Sequence, residues 1–348
     1  MNGYKTKRKN WLIFFLVIVL VMILMFIANI RSSFKIGLNI PPEGVTRLYT
    51  VGNSLVAILP NNQLYIWNWQ NLKDKPIRIS SPSNNALWIS ERKLVYMPVY
   101  NANTIALFDS VEKKEIKSFS LDLKWTFSQF DIDRNGRFIV AAFTEKSPEL
   151  SDNDKYKNIR IVILSKDFND LATVVELNKA VLNSLAVSDD GRFIAVVGRE
   201  NDIGWMAVIN VKDGQIVWQK SINEVAELTE IIFSSQGDVI YTAGVGRNIY
   251  VFKVSDGDLV SQFQVDKSTI AQKRQYIPTI AVSKNGHLLG ASTEPAGTIY
   301  IWNLVTGKRV YTDNPGMTIT SGLAFSSDSS LFAVSDIQTN PVKIFKCP

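Results

Sequence analysis

The chain has one histidine and one cysteine in 348 residues, and those two shortages exclude a good deal of chemistry. A lone His287 cannot build a multi-histidine zinc or copper centre or share a Cys-x-x-Cys-His haem site. A lone Cys347 excludes an intramolecular disulfide and a cysteine-rich metal site. It also stands at the wrong end of the chain for an acylated lipoprotein cysteine. Phosphate-binding loops of the Gly-rich type are missing as well, and so is any nucleophile with a base at readable spacing. The formal charge of +6 looks basic, but residues 1–31 hold Lys5, Lys7, Arg8, Lys9 and Arg31 with no acid. That leaves +1 for all the rest, so no basic groove for nucleic acid is expected.

Apolar residues make up 46% of the chain, enough for a folded protein, and one segment concentrates them. From Trp11 to Ile30 the sequence is almost wholly apolar, with Phe14, Phe15 and Phe26 inside the run and Trp11 at its edge. Some 20 residues at about 1.5 Å each reach about 30 Å, the thickness of a bilayer's hydrocarbon core. A buried helix of a globular core would show a polar stripe, and this run has none. A cleaved signal peptide is the rival reading, with an apolar region of about 7–15 residues and a small-x-small site. This run is longer, and Ala28-Asn29-Ile30-Arg31 offers no such pair, so an uncleaved single-pass anchor is expected. Lys5, Lys7, Arg8 and Lys9 put the N-terminus in the cytoplasm and the bulk of the chain on the far side, periplasmic or extracellular. The expected division is a tail at 1–10, a transmembrane helix at 11–30, a linker at 31–44 and one large domain at 45–348.

That domain is written in copies of one short unit, recurring at intervals of roughly 45 residues. In the clearest copy, Thr279-Ile280-Ala281-Val282-Ser283 passes through Lys284-Asn285-Gly286 into Leu288-Leu289-Gly290-Ala291-Ser292. Thr298-Ile299-Tyr300-Ile301-Trp302-Asn303 follows, then Thr306-Gly307-Lys308 turns into Arg309-Val310-Tyr311. Short alternating runs joined by Asn-Gly and Asp-Gly turns read as antiparallel strands, because glycine accepts positive φ at no steric cost. The apolar residue after the first turn recurs as Leu55, Leu94, Phe138, Phe193, Val239, Leu288 and Leu331. An apolar pair in the third strand tracks it, from Ile66-Trp67 through Leu107-Phe108, Val162-Ile163, Val208-Ile209, Val251-Phe252 and Ile301-Trp302 to Ile344-Phe345. Two registers therefore agree on seven units. Four strands per unit at this period predict an all-β, seven-bladed β-propeller of four-stranded antiparallel blades.

Ile299-Tyr300-Ile301-Trp302-Asn303-Leu304 with Thr306-Gly307-Lys308 resembles a WD-repeat blade, and Leu323-Ala324-Phe325-Ser326-Ser327-Asp328 resembles the start of another. The resemblance runs over residues 45 to 348. The Trp-Asp pair itself is replaced by Trp67-Asn68, Phe108-Asp109 and Trp302-Asn303, and the Gly-His pair is missing. The last unit stops at Cys347-Pro348 after its third strand. Propellers of this kind close their ring with a strand from the other terminus, and 34–40 is suited to it. Ile36 and Ile40 are expected beside Lys343-Ile344-Phe345.

Function is harder to read. Strand-two-to-three loops and links between blades open on one face of such a ring. That face is expected to collect the charged connection within 144–158, the link from Val265 to Tyr276, and Trp125, Trp205, Tyr276, Lys273 and Arg274. Aromatic and Arg side chains concentrate binding energy at interfaces, which makes these five the expected partner contacts. Rings that simply pack against neighbouring blades are the competing reading. Asp213-Gly214-Gln215-Ile216-Val217-Trp218 resembles the docking repeat of pyrroloquinoline-quinone dehydrogenases, but only this copy matches and Trp218 is expected to be structural. Asp131 and Asp133 alternate on the first strand of the third unit, where a pair facing one side could act as acid and base. Acids at strand ends, however, are expected to be solvated or to cap turn amides. Glu224, Glu227 and Glu230 read as a mixed-charge surface. The expected function is a non-catalytic, cofactor-free scaffold or assembly factor that binds other proteins outside the cytoplasm and no nucleic acid. The alternative is an enzyme or sensor, lactonase-like or quinone-dependent, with a small-molecule site in the central channel.

Overall fold

In the computed structural model the described residues are 36–38, 44–83, 86–88, 93–98, 102–133, 137–145, 157–169, 171–267, 275–317, 319–338 and 342–348. The apolar run with Trp11, Phe14, Phe15 and Phe26 lies outside them, as do Ile40, Lys273 and Arg274. Among the described residues no helix is long and apolar enough to cross a membrane.

The fold is a seven-bladed β-propeller. β1 (Ile36–Gly37) comes first in the chain. Blade 1 is β2 (Arg47–Val51), β3 (Ser54–Ile58), β4 (Gln63–Asn68) and β5 (Ile77–Ser80). Blade 2 is β6 (Ala86–Trp88), β7 (Lys93–Tyr96), β8 (Thr104–Asp109) and β9 (Lys114–Ser120). Blade 3 opens with β10 (Trp125–Ile132), β11 (Phe138–Glu145) and β12 (Lys157–Ser165). β13 (Leu171–Val187) then serves two blades. Its first part pairs with β12, from Leu171 opposite Leu164 to Ala180 opposite Lys157, and its second part, Val181 to Val187, pairs with the next strand. Blade 4 therefore continues with β14 (Phe193–Glu200), β15 (Ile203–Asn210) and β16 (Ile216–Ile222). Blade 5 is β17 (Leu228–Phe233), β18 (Val239–Gly244), β19 (Asn248–Lys253) and β20 (Leu259–Gln264). Blade 6 is β21 (Tyr276–Val282), β22 (Leu288–Glu294), β23 (Ile299–Asn303) and β24 (Arg309–Asp313). Blade 7 has β25 (Thr320–Phe325), β26 (Leu331–Asp336) and β27 (Lys343–Lys346), and β1 completes it, Ile36 opposite Ile344 and Gly37 opposite Lys343.

All seven apolar pairs read from the sequence fall on third strands. The connection inside blade 3 is shorter than the expected 144–158, because β11 runs to Glu145 and β12 begins at Lys157.

Strand alternation explains why the ring holds. Leu55, Ala57 and Leu59 point into the seam with blade 7, against Ala324, Ala333 and Ile344. Their neighbours Val56 and Ile58 point the other way, against Trp88, Leu94 and Ala106 of blade 2. Every seam is filled like this, so each sheet is apolar on both faces and depends on two neighbours. Leu38, just past β1, is buried in the seam between blades 7 and 1.

Turn chemistry fixes where the first strand of a blade ends. Ser188, Ser234, Ser283 and Ser326 occupy one position, all buried, and each hydroxyl accepts the amide that opens the second strand, from Phe193, Val239, Leu288 and Leu331 at 2.9–3.3 Å. Asp133 takes the same position in blade 3, where its carboxylate accepts the amides of Arg137 and Phe138 at 2.5 and 2.7 Å. The turns between third and fourth strands need a left-handed residue. Gly214, Gly257 and Gly307 supply it at φ 67 to 73°, while blades 2 and 3 use Lys113 (φ 53°) and Phe168 (φ 57°). Trp218 closes the contact between blades 4 and 5: its indole N–H donates to the Val254 carbonyl at 2.8 Å, and its ring covers Gly257 so tightly that a Cβ there would lie 2.8 Å from it.

Because β1 is the outer strand of blade 7 among the described residues, a chain lacking residues 33–40 is expected to melt several degrees lower than the intact protein by calorimetry, with Leu38 removed from its seam. An unchanged melting temperature would show that ring closure through β1 adds nothing to stability.

Candidate functional site

The first strands of the blades stand around a central channel, a cavity of about 610 Å³. Five of them carry a bulge at matching positions, between Phe127 and Gln129, Leu182 and Ser184, Leu228 and Glu230, Tyr276 and Thr279, and Thr320 and Gly322. A bulge leaves a residue out of the ladder and re-aims the side chains beside it. Here those side chains stitch blade to blade. Gln129 donates to the Asn183 carbonyl, Asn183 to the Leu228 carbonyl (2.7 Å) and Glu227 (2.9 Å), and Thr229 to the Ile277 carbonyl (3.2 Å). Thr50 joins blade 1 to the Phe325 carbonyl of blade 7 at 2.7 Å.

Among the described residues six charged side chains line the cavity: Asp133, Asp189 and Lys284 at the first-to-second turns, and three within the first strands of different blades, Arg47 on β2, Asp131 on β10 and Glu230 on β17. The latter three are only partly accessible, because the channel gives them some water while the ring encloses them. Burial pushes the Asp131 carboxyl up to about 6, opposed by Arg47 and by the Ile132 and Val187 amides, the latter donating at 3.1 Å. Burial likewise pushes Glu230 up to about 7, against a hydrogen bond from the Ser184 hydroxyl (3.0 Å), the Ile231 amide (3.2 Å) and the field of Arg47. Desolvation exceeds the help each carboxylate receives, so both are poised to hold a proton near neutrality. The Arg47 guanidinium lies 5.7 Å from the centre of the Tyr49 ring. Tyr49 is held protonated by burial, and its oxygen accepts the Trp88 amide at 2.8 Å. The cavity thus offers the cationic side chains of Arg47 and Lys284, two tunable acids and several hydroxyl and amide groups. Among the described residues no group of three or more His, Cys, Asp and Glu is arranged to hold a metal ion.

The aromatic residues expected to meet a partner sit elsewhere, in the seams. Trp125 is 2% exposed in the seam between blades 2 and 3, its ring 4.4 Å from the Arg160 guanidinium. Trp205 is 5% exposed between blades 3 and 4. Neither indole presents a face to solvent, so both are placed as packing groups. Tyr276 is half-buried at the start of β21 and donates its hydroxyl to Glu294; burial holds the phenol up at about 12. Of the acidic pair in blade 3, Asp133 caps its turn as the sequence implies, whereas Asp131 faces the channel. Glu230 is not a surface acid at all. Its placement follows from the bulge after Leu228, which turns it inward. Arg47 carries only a weak sequence signal, a single charge within an otherwise strand-like run, and Glu230 reads from the sequence as part of a mixed-charge surface.

An acid whose folded value lies above its unfolded one favours the folded state most at low pH. Asp131 and Glu230, with ordinary values of 3.8 and 4.5, therefore contribute stability that is complete below about pH 4 and lost as pH rises through 6 and 7. The double variant Asp131→Asn, Glu230→Gln is expected to melt above the parent at pH 8 and to show a flatter dependence of melting temperature between pH 4 and 8. Parallel curves for the two proteins would contradict the burial of charge.

Comparison with protein-family models and with curated proteins gave no match, so the chain is placed by its architecture, a seven-bladed β-propeller with a charged central channel.

Proposed function

We propose that this protein is a single-pass, membrane-anchored propeller that holds other proteins on a rigid platform outside the cytoplasm, without a covalent step. The observation that carries the reading is the position of β1. Only residues 31–35 separate the apolar run ending at Ile30 from a strand built into blade 7. An anchor joined so directly to the ring serves to keep a docking surface at the membrane. The charge pattern of residues 5–9 supports a cytoplasmic N-terminus and a ring on the other side. The Ser and Asp turn caps and the Gly turns support kinship with WD repeats, whose rings typically display short loops at fixed separation for several partners.

The partner face in this reading is the one with the links between blades and the loops between second and third strands. Leu123, 78% exposed in the link from β9 to β10, and Ile337, 42% exposed after β26, lie there. A photo-crosslinking residue at Leu123 in the membrane-bound protein is expected to give a discrete protein adduct in its native host. A chain that fractionates with membranes yet yields no protein adduct would argue against the scaffold.

A second reading is favoured by Arg47, Asp131 and Glu230: a sensor whose channel takes a small molecule carrying both a cationic and an anionic group. Calorimetric titration with small zwitterionic amino acids, showing heat that Arg47→Ala abolishes, would move the function into the channel.

A further inference from the structure

The exposed aliphatic side chains of the ring are not spread evenly. Each fourth strand begins at the end of its blade where the third-to-fourth turn lies. In a four-stranded antiparallel meander, the first-to-second turn lies at that same end. Ile77 begins β5, Ile116 lies in the first half of β9, Ile216 and Val217 begin β16, Leu259 and Val260 begin β20, and Val310 is second in β24. All are 38–62% exposed. Val111 (65%) and Val305 (74%) extend the series in the adjoining turns. Five blades thus show one or more large aliphatic side chains at the rim of the same face. Among the described residues the opposite face has Leu123 and Ile337. The charges on these turns are mixed, as in Lys73-Asp74-Lys75, Glu112-Lys113 and Lys212-Asp213, which is no signature for an anionic partner.

The direction of β1 says what lies beyond that face. Ile36 pairs with Ile344 and Gly37 with Lys343, so the chain ahead of Ile36 approaches blade 7 from the end where β27 runs out towards Cys347. That end is the aliphatic-rimmed face. The five residues 31–35 reach about 17 Å at most, fully extended, which spans the headgroup layer of about 5–8 Å and leaves about 10 Å beyond it, so the ring is held close to the bilayer. We infer that the propeller sits with this face against the lipid bilayer, its exposed aliphatic rim in the headgroup region, and that the opposite face is turned outward. The inference rests on the proposed anchor and adds which face meets lipid. Apolar side chains at a lipid interface are stabilised by area buried there, so seating by mixed-charge turns and aliphatic residues is expected to be insensitive to salt.

The test uses the full chain in phosphatidylcholine vesicles, with Cys347→Ser as background and a single labelled cysteine at Val305→Cys, Leu259→Cys or Glu224→Cys. Glu224 is exposed in the link from β16 to β17, on the outward face. Lipids carrying a nitroxide quencher near the headgroup are expected to reduce fluorescence at 305 and 259 by roughly half and to leave 224 unchanged, at low and high salt alike. Quenching at 224 with none at 305 and 259 would reverse the assigned face. No quenching at any position, in protein that floats with the vesicles, would overturn the seating and leave the anchor standing. Protein that fails to float would remove the anchor and the seating together.

Discussion

Everything in this ring depends on a sheet that is apolar on both sides. Along β3, Leu55 and Ala57 serve one seam while Val56 and Ile58 serve the next, and the same division recurs in every blade. No blade can cover both faces by itself, and the circle is the arrangement that leaves no apolar face over. Burial of a large aliphatic or aromatic side chain contributes about 1.5–3 kcal/mol, and each seam holds ten or more buried apolar residues, so adjacent blades are strongly coupled. Two covalent features reinforce that coupling. β13 runs without interruption from the outer edge of blade 3 to the inner edge of blade 4, and β1 brings the chain's beginning to the strand at its end.

The polar residues are distributed to protect this packing. Turn amides at the end of each first strand are taken by buried Ser hydroxyls or, in blade 3, by Asp133, so that the hairpin closes without an orphaned donor. At the bulges, Gln129, Asn183 and Thr229 spend their side chains on the next blade's backbone. The channel is where this economy stops. Asp131 and Glu230 receive hydrogen bonds that do not match what burial takes from them, and Arg47 acts on both from another blade. Retaining three charged groups in that position is costly for a ring whose only need is stability, which is why the channel deserves a ligand titration alongside the search for partners.

The repeat was legible because hairpins are local. Gly191, Gly237 and Gly286 mark left-handed turn positions, and the apolar pairs of the third strands follow 14 to 17 residues later. Blades 1 and 2 are the least regular units in the sequence because they lack the clean glycine turn; in blade 2 Lys113 stands in the left-handed position that glycine marks elsewhere. Pairing of Ile36 with β27 was legible too, since a ring short of one strand has to find it. Side-chain placement around the ring was less legible. Trp125 and Trp205 carried the residue type of an interface anchor, yet burial in the seams made them core. Glu230 followed Glu224 and Glu227 in an acidic stretch and gave no sign of pointing inward.

What the amino-acid order alone determined was the blade: its strands, its turns, the number of copies and the apolar run ahead of them, all set by contacts within a few tens of residues. Only the closed ring decided which side chains share a seam, which charges from blades 1, 3 and 5 meet in one channel, and which face the chain enters from. Those are relations between residues far apart in sequence. They exist once seven twisted sheets pack around an axis, and a bulge of one residue is enough to change which way a carboxylate points.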